Sequence, residues 1–246
     1  MIEIRNLSKK FASHYALQDI TFSASPGERI AVVGCNGAGK TTLLRILSTY
    51  LPATSGFVTI DENDLLYDSN AIRKITGYLP ENAPLYLDMR VAEYLKFRGA
   101  LRRMKRLHLN RRFHEVMAFC DLASYRNATI NSLSSGLRHR VGIADAILHE
   151  PSVLLLDDPI ASCDPNQAEK ITELLASEKL CENRTLIFTT HSRETVQAIA
   201  TRIIFLERGS VCADTTDIAC LKDNTLQAMF GKWQNAKNTE LEATHK

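Results

Sequence analysis

Nine consecutive residues, Gly34-Cys35-Asn36-Gly37-Ala38-Gly39-Lys40-Thr41-Thr42, hold the densest chemistry in the chain. Glycines let backbone amides turn inward, the lysine adds a positive charge and the threonines add hydroxyls. Such a loop suits phosphate oxygens. Amides and the Lys40 ammonium neutralise the anion, the helix that follows presents its positive end, and Thr41 can hold magnesium. The string satisfies G-x-x-x-x-G-K-[ST] and has the required context. Apolar β-type residues at Ile30 to Val33 precede it, and Leu43, Leu44 and Leu47 follow at helical spacing. A dinucleotide-binding turn would space its glycines as G-x-G-x-x-G; here they fall as G-x-x-G-x-G, so that reading fails.

Four more stretches narrow the choice: LSSGLRHRVGIADAILH at 133–149, VLLLDDP at 153–159, ASCDP at 161–165, and His191 directly after TLIFTT. Asp157 ends an apolar run, where a carboxylate is costly unless it binds something. In this order and spacing the stretches resemble the nucleotide-binding subunit of an ATP-binding cassette (ABC) transporter. LSSGL matches the signature, VLLLDD Walker B, ASCDP the D-loop and His191 the switch histidine. The resemblance covers residues 2–215. GYLPENAPLYLDMRVAEYL, beginning at Gly77, is similar to single-domain bacterial exporter ATPases of the gliding-motility and multidrug branch.

That resemblance implies an α/β fold: a P-loop NTPase core with a mostly parallel sheet, an N-terminal antiparallel β subdomain and a helical subdomain inserted at about 82–150. It implies an ATP-hydrolysing motor with ATP and Mg2+ as cofactors, the loop from Gly34 to Thr42 around the phosphates, and Phe11, with Tyr15 as substitute, against the adenine. Asp157, Thr41 and Glu81 would serve magnesium. His191, Glu81 and Lys40 would attend the γ-phosphate. Ser134 and Gly136 would cover the γ-phosphate of a second copy, so the unit is a homodimer or a dimer with a similar ATPase. The remaining partner would be an integral membrane permease, placing the chain on the cytoplasmic face of the membrane.

Four positions depart from the common family pattern. Ser135 and Leu137 replace the usual glycine and glutamine of the signature, and Glu81 stands where most relatives carry glutamine, although the exporter branch often carries glutamate. Asp158 occupies the place of the glutamate that polarises attacking water. It is one methylene shorter, about 1.5 Å, and a misplacement near 1 Å can cost about a hundredfold in rate. Slow hydrolysis is therefore expected. A slow or degenerate ATP-binding switch of the same fold is the alternative; a soluble cassette of translation or DNA repair would carry a tandem copy or a coiled-coil insertion, and neither is present.

The elements that must position these residues are legible in outline. Short β-type runs (IEI, ITFSA, RIAVVG, FVTI) with turns expected at 25–27 and 54–56 make the first 60 residues β-rich. Ser69 is expected to cap a helix around Ala71 to Ile75, and helical spacing dominates from Val91 to Glu150. SVLLLD and TLIFTT, separated by a helical stretch from Gln167 to Leu180, suit parallel strands buried on both faces. RIIFLERGSVCAD reads as a hairpin. The chain reads as one domain over 1–225 with a polar tail at 226–246 that includes Trp233.

Composition sets the outer bounds. With 30 Lys+Arg against 28 Asp+Glu the net charge is +2, so no bulk pull toward nucleic acid exists and no nucleic-acid partner is expected. At 45% hydrophobic and 24% charged the chain is not a disordered one. No apolar run approaches the ~20 residues needed to cross a bilayer, no secretory signal opens the sequence, and cytoplasmic residence is expected. The six cysteines (Cys35, Cys120, Cys163, Cys181, Cys212, Cys220) lack metal-ligand spacing and read as reduced packing residues. Eight basic residues and no acidic one lie between Lys96 and Arg112. They are expected either to form a solvated face or to meet acidic partner residues or anionic headgroups.

Overall fold

The computed structural model describes residues 1–161, 163–181 and 184–218. The expected tail, Cys220, Ser162 of the ASCDP stretch and the side chain of Cys181 lie outside the described residues. In chain order the elements are β1 (Ile2–Phe11), β2 (His14–Ala24), β3 (Arg29–Val33), α1 (Lys40–Leu47), β4 (Ser55–Ile60), β5 (Asn63–Asp64), α2 (Ser69–Ile75) and β6 (Thr76–Leu79). Helices α3 (Val91–Leu101), α4 (Arg106–Phe119) and α5 (Ser135–Ile147) follow. The chain continues through β7 (Val153–Leu156), α6 (Pro165–Ala176), α7 (Glu178–Cys181), β8 (Thr185–Thr189), α8 (Arg193–Ile199), β9 (Arg202–Glu207) and β10 (Ser210–Thr215).

Two sheets form. The first is antiparallel, in the order β2-β1-β4-β5. The second runs β10-β9-β3-β8-β7-β6, with β9, β3, β8, β7 and β6 parallel and β10 turned back on β9 as the expected hairpin. Its central strands are buried on both faces, and side chains alternate between two cores. Ile30, Val32, Val153, Leu155 and Ile187 join α1 and the antiparallel sheet; Ala31, Val33, Leu154, Leu156, Leu186 and Phe188 join α3 to α6. A one-residue slip of β3 or β7 would exchange the two sets.

Local chemistry moves several expected boundaries. Ser69 is not the cap of α2 but its first residue, after Asp68, and its hydroxyl accepts a bond from Arg73 instead. Thr54-Ser55-Gly56 is not a free turn, because Ser55 already pairs with Ser8 and opens β4. The expected helix at 167–180 is two. Asp164 caps the first through the Gln167 N–H, with Pro165 at the position where a missing N–H costs nothing, and an extended Ser177 separates it from α7.

The basic block is also corrected. Arg98 Nε donates to both oxygens of Asp145 at 3.0 and 2.9 Å, beside the Tyr94 hydroxyl. Arg102 donates to the Arg73 carbonyl and lies against His149, which burial first and the Arg102 charge second push down to about 3, leaving it neutral. Arg112 donates to the Ile147 and Leu148 carbonyls and to Glu115. These three guanidiniums hold α3 and α4 against α5 and α2. Lys96, Arg103, Lys105, Arg106 and Arg111 are exposed.

Candidate functional site

The loop between β3 and α1 closes around its own lysine. Lys40 Nζ donates to the Gly34 carbonyl at 2.8 Å and to the Cys35 carbonyl at 3.0 Å. Burial pulls its pKa below the ordinary lysine value, against the opposing pull of Asp158 and Asp157. Gly39 makes the last turn possible. Its φ is +104°, and a Cβ there would lie 2.5 Å from the Ala16 carbonyl, so only glycine lets the loop pass β2.

Asp157 and Asp158 follow β7 at the same sheet end. Asp157 is 3% exposed. Its Oδ1 accepts from the Thr41 hydroxyl at 3.1 Å and from the Thr189 hydroxyl at 2.8 Å. Its Oδ2 is buried with no hydrogen-bond partner among the described residues, an arrangement costing about 1–3 kcal/mol unless a ligand satisfies it. One carboxylate and one hydroxyl beside a phosphate cradle fit magnesium, which keeps waters and takes phosphate oxygens as its other ligands. Thr189 accepts from the Asp158 N–H at 2.8 Å while donating to Asp157, so one hydroxyl sets both acids. Asp158 has φ +42°, a left-handed conformation that aspartate tolerates better than most residues. Its Oδ2 stands 3.7 Å from His191 Nε2.

These groups line one cleft of about 490 Å³. It gathers Asn36 to Thr42, Glu81, Asp157, Asp158 and His191, all expected, and adds Ala16 and Thr189, which were not. Thr189 was hidden because a threonine ending a β-run reads as an ordinary strand residue. Gly34 and Cys35 contribute carbonyls to Lys40 rather than cleft wall. Phe11 and Tyr15 are not among the lining residues. Both are exposed near the β1–β2 turn, under the ammonium groups of Lys9 and Lys10 respectively.

Ser134 and Gly136 are likewise not among the residues lining this cleft. Ser134 caps α5, accepting from the Leu137 N–H at 3.3 Å. The helix behind it is held firmly: buried Arg140 donates to Asp121 at 2.9 Å and to Gln167 on α6 at 3.0 Å. A capped helix N-terminus on a braced helix can receive an anion.

The sequence pattern of the ABC transporter family matches residues 17–161, more than half of the chain. The chain is 30% identical over 208 residues to an uncharacterised ABC transporter ATP-binding protein, MJ1023, of Methanocaldococcus jannaschii, covering 85% of this chain and 74% of that one. It is 33% identical over 214 residues to the sulfate/thiosulfate import ATP-binding protein CysA of Nitrosomonas europaea, covering 85% of this chain and 59% of that one. Among solved structures it matches a dimeric post-hydrolysis state of the ATP-binding cassette MJ0796 bound to ADP and Pi. The TM-score is 0.79 at 25% identity, over 87% of this chain and 98% of that one.

Proposed function

This chain belongs to the ABC transporter family of ATP-binding proteins, and from that premise we propose that it is the ATP-hydrolysing motor of an exporter, working as a dimer on a separately encoded membrane permease. One observation carries the reading: the cleft unites cradle, lysine, acids and histidine, while Ser134 and Gly136 stand apart from it. Two copies facing each other would give each cleft the other's signature turn, with ATP as glue between half-sites.

In this reading the amides of 34–42 and the Lys40 ammonium bind the phosphates, giving up Lys40's bonds to the loop carbonyls. Thr41 and Asp157, with Glu81 lining the same cleft, would hold magnesium, whose charge would screen the terminal phosphate oxygens. Asp158 orients and takes the proton of the attacking water, and His191, beside it, steadies the γ-phosphate and that water. ATP binding closes the pair and hydrolysis reopens it. Among the described residues no helix is long and apolar enough to cross a membrane; in this reading the permease supplies the crossing and the motor works on its cytoplasmic face. The export direction rests on the stretch from Gly77 to Leu95.

Asp158 favours a second reading, a slow switch of the same fold. Asp158→Glu separates the two. For a weakened motor, steady-state ATPase rises about tenfold or more, because the longer acid recovers roughly the reach it lacks. An unchanged rate assigns the proton to another group.

The exposed cations of the α3–α4 corner face the permease or the headgroups around it. Reversing Arg103, Lys105 and Arg106 to glutamate would lower recovery of the complex with membranes, since each surface contact is worth about 1 kcal/mol. Arg98, Arg102 and Arg112 are unsuitable for this test, being committed internally. Unchanged membrane recovery at low salt discards the contact.

A further inference from the structure

His139 stands on α5, one turn beyond Ser135, and is only 8% exposed. Its ring meets carbonyls from two different parts of the machinery. Nδ1 lies 3.0 Å from the Ser135 oxygen, in the turn that opens α5. Nε2 lies 3.2 Å from the Glu81 oxygen, in the loop after β6 whose side chain lines the cleft. Carbonyls only accept, so each contact needs a ring N–H; neutral imidazole supplies one and imidazolium both.

The contact is reinforced one turn further along the same helix face. A Cβ on Gly142 would lie 2.5 Å from Leu79 Cδ1 and 3.3 Å from Ala83 Cβ. Residues on both sides of Glu81 therefore sit flush on α5. His139 and Gly142 are three apart and share a face, so the Glu81 loop is bonded at one point and packed at the next.

We infer that His139 is a positioning residue that ties the Glu81 loop, part of this copy's own cleft, to the Ser134–Gly136 turn offered to the other copy. The inference rests on the proposed two-copy sandwich. Occupancy of one cleft, sensed by the Glu81 loop, then sets the orientation of the turn that completes the second. The two nucleotides bind cooperatively through this bond.

The test follows dimerisation of the full chain by sedimentation velocity against the concentration of a non-hydrolysable ATP analogue, with ADP binding to the monomer as a control. The parent gives a Hill coefficient near two, the number of sites. His139→Leu removes the ring's N–H donors at similar volume. It is expected to drop the coefficient to about one and raise the midpoint about tenfold, with ADP affinity within about twofold of the parent. His139→Gln, whose amide can donate to the same carbonyls, restores most of the cooperativity. Gly142→Val, whose branched side chain must push Ala83 as well as Leu79 away from α5 while keeping the histidine, reproduces the loss. A His139→Leu chain with the parental coefficient, or a folded His139→Gln chain as impaired as His139→Leu, overturns the inference. A parent that stays monomeric at saturating analogue overturns the sandwich and the coupling together, whereas a dimerising parent with unaffected variants overturns the coupling alone.

Discussion

A Lys40→Ala chain binds ATP on the order of a hundredfold more weakly than the parent. Lys40 is 8% exposed and its ammonium is bonded to the Gly34 and Cys35 carbonyls, so its donors are already aimed into the loop. Removing it deletes charge-assisted bonds to the terminal phosphates and leaves the loop carbonyls without their donor. Asp157, Asp158 and Glu81 then face the polyanion without the nearest compensating charge. Titration with a fluorescent ATP analogue measures the loss, and a melting curve separates it from unfolding. Undiminished affinity would remove phosphate binding from the cradle.

Asp157→Asn is expected to be the most severe change for catalysis. The amide oxygen still accepts from Thr41 and Thr189, so the links across α1, β7 and β8 survive. What disappears is the negative charge, together with the buried Oδ2 that has no partner among the described residues. Holding a metal that polarises phosphoryl oxygens is worth several kcal/mol, so ATPase activity falls on the order of a thousandfold. Nucleotide binding also loses its dependence on magnesium. Activity retained with the parental magnesium requirement would show that the cation is held elsewhere.

Much of this site is legible in the sequence because its chemistry is local. The residues Gly34 to Thr42 are consecutive, and a loop that must wrap an anion needs small residues and a cation at fixed offsets. Asp157 was visible for a different reason: an acid ending VLLL is expensive unless it binds something. The doubly buried parallel strands are legible by a similar contrast, since VLLLD and TLIFTT are too uniformly apolar for a half-exposed sheet, whereas the antiparallel subdomain and the helical insertion came with the family resemblance.

What escaped was long-range. The partner of Arg98 is Asp145, 47 residues away, so a charge count confined to 96–112 saw only cations. Thr189 bonds Asp157 across 32 residues, and nothing in TLIFTT marks its hydroxyl as different from that of Thr190. The two carbonyls that meet His139 belong to backbone, which carries no residue-type signal. The caps at Asp68 and Asp164 moved helix ends by a few residues, because competition between neighbouring Asp, Ser and Pro is settled by backbone geometry.

The shared site itself is tested most directly by Ser134→Glu, which sets a negative charge where the turn would meet the opposite copy's γ-phosphate. Sedimentation with a non-hydrolysable ATP analogue is predicted to show the parent moving from monomer to dimer while the variant stays monomeric, although its monomer binds ADP as tightly as the parent's. A variant that dimerises as readily as the parent, or that loses ADP binding with an intact fold, would contradict a site built from two copies.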